Sequence, residues 1–132
     1  MLQELSRRCQ RSDLKNVEMI LGEPHNPKLP VGKIDLILMV DVYHEFSNPV
    51  EMLDAMRKSL TPDGRIALVE FRGEDPQVPI KPEHKMTKKQ ILKEYEANSM
   101  RLVGQYDRLP WQHLMFLGSD PKQGNAKQEE SK

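Results

Sequence analysis

Residues 34–71 read IDLILMVDVYHEFSNPVEMLDAMRKSLTPDGRIALVEF, which is a strand, a helix and a second strand in that order. The apolar run at residues 34–40 is broken only by Asp35. It is too short for a membrane span and suits a strand covered on both faces, with Asp41 marking its carboxyl end. Ser47 or Asn48 is placed to cap a helix with Pro49 in its first turn, where a missing N–H costs nothing because no intrahelical acceptor awaits it. Val50, Leu53, Met56, Arg57 and Leu60 then recur at helical spacing. Thr61, Pro62, Asp63 and Gly64 stop the helix, with Gly64 expected at positive φ. Ile66, Ala67, Leu68, Val69 and Phe71 make the second buried strand. The order predicts one parallel βαβ unit of an α/β fold, and ligands bind at the carboxyl ends of such strands.

Outward from this unit, residues 1–11 read as a helix with Leu2, Leu5 and Cys9 on one face and no cap at its start. Val17, Met19 and Leu21 alternate in residues 16–21, predicting a short strand that breaks at Gly22, Glu23 and Pro24 into a proline-rich loop. Pro76, Pro79 and Pro82 make residues 72–86 an ordered surface loop. Thr87 caps a helix over residues 88–98. Residues 100–107 and 111–117 form an antiparallel hairpin around Leu109 and Pro110. The domain is expected over residues 1–118, with residues 119–132 a disordered polar tail.

The chain has 132 residues, 20 basic against 20 acidic, so one domain at most is expected and net charge does not draw it to nucleic acid or acidic membrane. The cluster Lys88, Lys89 and Lys93 is offset by Glu94 and Glu96 and reads as the wet face of a helix. One cysteine excludes an internal disulfide framework, and the charged start lacks the apolar core of a signal peptide. A reducing cytoplasm is the expected location. No segment has the roughly 20 apolar residues a membrane helix needs.

Gly22-Glu23-Pro24, then Leu29-Pro30, then Ile34-Asp35-Leu36-Ile37, then Tyr43-His44-Glu45-Phe46, and finally Leu60-Thr61-Pro62-Asp63-Gly64 follow one another in an order that is collectively specific. From about residue 16 to 117 the chain resembles the C-terminal portion of a class I S-adenosylmethionine-dependent methyltransferase of the small-molecule type, related to the ubiquinone and menaquinone enzymes. The resemblance implies a partial Rossmann-like fold, a mostly parallel sheet with an antiparallel C-terminal hairpin, S-adenosylmethionine as cofactor and a small-molecule methyl acceptor. It also implies that Glu23 reaches the adenine amino group, that Pro24 shapes the adenine pocket, and that Val40 and Asp41 touch the methionine portion of the cofactor. Asp41 and His44 are the implied catalytic residues, and Tyr43, Glu45, Arg72 and His84 the implied acceptor contacts.

The departure concerns the first half of that fold. The seven glycines, at 22, 32, 64, 73, 104, 118 and 124, never form the family's Gly-x-Gly loop, and no acidic residue for the ribose hydroxyls is found. Three explanations stand open: a fragment of a longer chain, a start at an internal methionine, and a short form completed by a partner. Lacking its normal neighbours, the sheet should expose an edge for self-association or a partner chain.

Each candidate also has a plainer reading. Glu23 reads as a solvated loop carboxylate, Asp41 as a residue bonding an adjacent turn, and His44 as a loop hydrogen-bonding group. Arg72 reads as an anion binder or as a salt-bridge partner of Glu74 or Asp75. His84 and Lys85 face the pocket or solvent. Trp111 and His113 share a strand face, Trp111 as packing. His44-Glu45 is not a zinc motif, because position 48 is Asn48 where a second His is needed one turn later. Two function classes follow: methyl transfer to a small acceptor, and a noncatalytic remnant or partner-binding subunit. A nicotinamide-dependent enzyme is disfavoured by the absent glycine loop and by the hairpin ending.

Overall fold

A computed structural model describes residues 1–120. After helix α1 (Leu2–Arg11), strand β1 (Ile34–Val40) runs parallel to β2 (Leu60–Arg72), and α2 (Pro49–Ser59) crosses between them. Asn48 precedes α2 but makes no side-chain cap; its amide donates to the Ser47 hydroxyl at 3.2 Å and the Pro24 carbonyl at 3.5 Å. Pro49 occupies the first turn as expected. The helix buries Met52, Leu53 and Met56, and Val50 faces solvent.

The stretch expected to turn at residues 61–64 is instead the extended start of β2. The register jumps there, Ile34 facing Leu60 and Leu36 facing Arg65. Gly64 keeps a negative φ, and its reason is close approach: a Cβ would lie 2.7 Å from the Ile34 carbonyl oxygen. Positive φ falls at Gly32, φ 69°, in the loop entering β1.

Beyond β2, the short β3 (Lys85–Met86) pairs in parallel with the end of β2, Phe71 facing Lys85. Thr87 caps α3 (Lys88–Ala97) by accepting the Gln90 N–H at 3.1 Å. Strands β4 (Met100–Tyr106) and β5 (Gln112–Ser119) form the expected antiparallel hairpin. β5 inserts between β2 and β4, giving the order β1-β2-β5-β4. Ser119, expected in the tail, closes β5, and the Asp120 N–H donates to the Ser99 carbonyl at 2.9 Å. The rest of the expected tail, residues 121–132, lies outside the described residues.

Both α2 and α3 pack on one face of the sheet. Leu53, Ile66, Leu68, Ile91, Met100, Met115 and Leu117 are fully buried there, each contributing about 1.5–3 kcal/mol of hydrophobic stabilisation. The opposite face of β1 differs from the expectation of two covered faces. Leu36, Leu38 and Val40 are 58%, 64% and 48% exposed, because no described element packs over them. The strand expected at residues 16–21 is also absent: Val17, Ile20 and Leu21 are exposed and join no ladder. Alternation supplies a face, but a strand needs a neighbour to take its backbone hydrogen bonds. Among the described residues no helix is long and apolar enough to cross a membrane.

Candidate functional site

Asp41 ends β1 in a left-handed conformation, φ 56°, while its N–H still donates to the Val69 carbonyl at 2.9 Å. That turn carries the chain over the end of β2 into a 3₁₀ turn, Tyr43–Glu45. Glu70 projects from the end of β2 and is 0% exposed. Its two oxygens accept from one residue: the His44 N–H at 3.1 Å, and ring atom Nδ1 at 2.7 Å. Burial pushes the Glu70 carboxyl above the usual carboxylate range, opposed by the bonds from His44. A protonated Nδ1 leaves Nε2 as the lone-pair nitrogen. That Nε2 faces His84 Nδ1 at 3.2 Å, delivered by the 3₁₀ turn Pro82–His84.

His44 lies between two clefts. One, of about 470 Å³, is bounded by Phe46, Met86, Gln90 and Glu94; the other, of about 290 Å³, by Asp41, Phe71, Ile80 and His84. Tyr43 is buried beside the first and donates its hydroxyl to Glu94 at 3.0 Å. Burial, reinforced by Glu94, raises its phenol far above the ordinary range, so Tyr43 serves as a donor and not as a phenolate. It packs edge-on against Phe46 and tilted against Tyr95. Glu74 braces the start of α3 against β5. Its carboxylate accepts the Lys88 N–H at 2.8 Å and meets His113 Nε2 at 2.9 Å.

Of the residues singled out from sequence, His44, Glu45 and His84 come together, with Asp41 on the same cleft. The Asp41 carboxylate is already engaged, accepting Gln112 Nε2 at 2.8 and 3.1 Å. Val40 is half exposed beside it. Arg72 neither faces the pocket nor pairs with Glu74 or Asp75. Its guanidinium donates to the Pro110 and Asp107 carbonyls, both at 3.1 Å, and so ties down the β4–β5 connection. Lys85 donates to the Asp75 carbonyl at 3.1 Å. Glu23 is half exposed and pairs with Lys28 at 3.1 Å and His25 at 3.3 Å, the Lys28 bond holding its carboxyl below the usual range. Pro24 accepts a hydrogen bond at its carbonyl from Asn48, the residue before α2, at 3.5 Å. His113 is buried, whereas Trp111 stands half exposed ahead of β5.

From sequence, Gln112 has no role, Glu70 only marks a strand end at the cleft, and Glu94 only offsets the lysines of its helix. For Glu70 a signal exists: a carboxylate embedded in the buried run IALVEF needs a partner at the strand end.

A family model described as a methyltransferase domain matches residues 1–127. Comparison with curated proteins found no significant match. Among solved structures, a SAM-dependent methyltransferase from Aquifex aeolicus superposes with a TM-score of 0.75 at 21% identity, over 84% of this chain and 59% of that one. A type 11 methyltransferase described as putative, from Sulfolobus solfataricus, gives 0.69 at 16% identity, over 88% and 64%. Mitomycin 7-O-methyltransferase gives 0.76 at 14% identity, over 89% and 38%. The chain thus spans less than two thirds of the length of these structures. The inserted antiparallel β5, the parallel β1–β2 pair and the family match agree: the chain belongs to the methyltransferase domain family and has the class I, Rossmann-like α/β fold of the S-adenosylmethionine-dependent enzymes.

Proposed function

We propose that this chain forms the acceptor-side wall of a methyltransferase site in which His44, aligned by Glu70, takes a proton from a small organic acceptor. The observation that carries the reading is the 2.7 Å bond between a fully buried carboxylate and His44 Nδ1, at the carboxyl end of the parallel strands. The bond fixes the tautomer, so Nε2 is the accepting atom. A hydroxyl or amine acceptor becomes nucleophilic as its proton leaves, and a positioned base contributes on the order of 10²–10⁴ in rate. His84 and Glu45 flank Nε2 and orient the acceptor. Asp41, held by Gln112, is a positioning residue that fixes the turn carrying His44. The cofactor, S-adenosylmethionine by family, supplies a sulfonium-bound methyl group for in-line displacement.

Toward that cofactor the described residues fit on one side only. Val40 and Asp41 offer the strand end. Glu23 is paired with Lys28, no Gly-x-Gly loop lets backbone approach the methionine moiety, and the β1 face at Leu36 and Leu38 is open. Calorimetric titration of the chain with S-adenosylmethionine should show only weak, millimolar-range binding, and micromolar affinity would contradict the one-sided fit. At millimolar cofactor, mass spectrometry should detect slow methylation within a panel of phenols and amines, reduced about 10²–10⁴-fold in His44→Ala. Turnover unchanged by that substitution, or no product above background with any acceptor, refutes the proposed role.

A second reading is favoured by one observation, the exposed apolar row Leu36, Leu38 and Val40 on an edge strand. It casts the chain as a partner-binding subunit whose open edge receives a strand from another chain. Sedimentation of wild type against Leu38→Lys separates the two: self-association lost in the variant supports this second reading. The single Cys9 suits a reducing cytoplasm under either.

A further inference from the structure

We propose that His44, His84 and Glu45 form a binding site for a zinc-class divalent ion, distinct from the proton-transfer role and not dependent on it. The ligand atoms of the three side chains lie within 4.8 Å of one another. His44 Nε2 and His84 Nδ1 are 3.2 Å apart, and Glu45 Oε1 is 3.8 Å from Nε2. Two nitrogens each about 2.0–2.1 Å from a tetrahedral zinc stand roughly 3.3–3.4 Å apart, so the pair already has the spacing of two ligands on one ion. Glu45 is exposed, and rotation of its side chain brings its carboxylate, 3.8 Å from Nε2 and within 4.8 Å of the His84 ligand atom, to ligand spacing.

The second shell points the same way. Glu70 accepts the Nδ1 proton of His44, the carboxylate–histidine arrangement that fixes a ligating tautomer and raises the basicity of the opposite nitrogen. Between Nε2 and His84 Nδ1, a proton satisfies two lone pairs; an ion satisfies these and the Glu45 carboxylate together. Two imidazoles with one carboxylate select zinc, nickel or copper over magnesium and calcium, which prefer oxygen-only sets. Three protein ligands leave a fourth position open toward the cleft lined by Asp41, Phe71 and Ile80. An ion on Nε2 and a proton accepted there exclude each other, so zinc occupancy switches off His44 as a base.

The test needs neither cofactor nor acceptor. Titration of the full chain with zinc chloride by calorimetry, and with cobalt chloride by visible absorption, should give one site of micromolar affinity and a low-coordinate nitrogen–oxygen cobalt spectrum. His84→Gln and Glu45→Gln both change exposed side chains. Each should weaken binding at least about 10-fold, and Glu70→Gln about 10–100-fold through the second shell. His25→Gln, remote on the Glu23 loop, should leave binding unchanged, and circular dichroism with urea midpoints confirms that each variant is folded. Stoichiometric binding that persists in His84→Gln, binding lost in His25→Gln, or no wild-type binding tighter than about 100 μM overturns the site. The metal titrations are read without methyl transfer, so failure of either proposal is seen separately.

Discussion

Removing the Glu70 carboxylate distinguishes a dyad that organises the site from a buried charge that merely happens to be satisfied. In Glu70→Ala, His44 keeps two donors in a nearly closed environment, its side chain being 7% exposed, and both lose their acceptor. The 2.7 Å bond to the ring is worth about 1.5–3 kcal/mol if charge-assisted, and an unmet backbone N–H costs about 1–3 kcal/mol more. Relief of carboxylate desolvation offsets part of this, leaving an expected net loss of about 2–4 kcal/mol. Glu70→Gln keeps one oxygen for the His44 N–H and turns an amide N–H₂ toward the ring, so its expected loss is only about 1–2 kcal/mol. The isosteric change also reverses the proton demand: Nδ1 now accepts, and the ring proton moves to Nε2. Urea unfolding at neutral pH measures the two losses, and long-range nitrogen–proton NMR reads the tautomer. Glu70→Ala within about 0.5 kcal/mol of wild type, or the same His44 tautomer in wild type and Glu70→Gln, would refute the reasoning.

Three further outcomes follow from local geometry. Thr87→Ala should cost about 1 kcal/mol in urea unfolding, because the first turn of α3 loses its side-chain acceptor for Gln90 N–H; an unchanged midpoint refutes the cap. Gly64→Ala should cost about 1–3 kcal/mol and weaken amide protection at the start of β1, since the new Cβ meets the Ile34 carbonyl at 2.7 Å; full protection and stability would show that the strands adjust freely. At Glu74 burial raises the carboxyl, yet the backbone N–H groups of Lys88 and Glu74 with His113 outweigh it, and its net shift is downward. A folded value below the unfolded one stabilises above the ordinary carboxylate range, and that stability is lost as pH falls through the folded value. Wild type should therefore lose stability relative to Glu74→Gln between about pH 5 and about pH 3, and parallel pH curves would remove Glu74 as the brace.

The elements legible in sequence are those whose information is local. The bounds of β1 are legible because an apolar run flanked by Lys33 and Asp41 needs no partner to be recognised. The Thr87 cap and the hairpin at β4 and β5 carried their own punctuation. Errors arose where the outcome depends on a distant neighbour. Residues 16–21 have the alternation of a strand but no ladder to join. The Thr61–Pro62–Asp63–Gly64 sequence looks like a turn, yet pairing of Leu60 with Ile34 draws it into extended conformation. The charge of Arg72 suggests an anion or a carboxylate partner, whereas the approach of the β4–β5 connection gives it two carbonyls.

The site shows the same division more sharply. The carboxyl-end rule correctly directs attention to Asp41 and the turn after it, but partner identity is set by register. Val40 faces Val69, so Glu70 emerges beside the turn carrying His44. A slip of one residue sends Glu70 to the opposite face of the sheet and replaces it with an apolar neighbour. His84 is harder still, because it arrives through a two-residue ladder, Phe71 with Lys85 and Arg72 with Met86, inside a proline-rich loop without periodicity. Searching for a second histidine one helical turn beyond His44 tests only helical placement. Parallel pairing makes residues 40 positions apart neighbours, and the pair at 3.2 Å exists because β3 continues the sheet at the one strand end where Glu70 already holds His44.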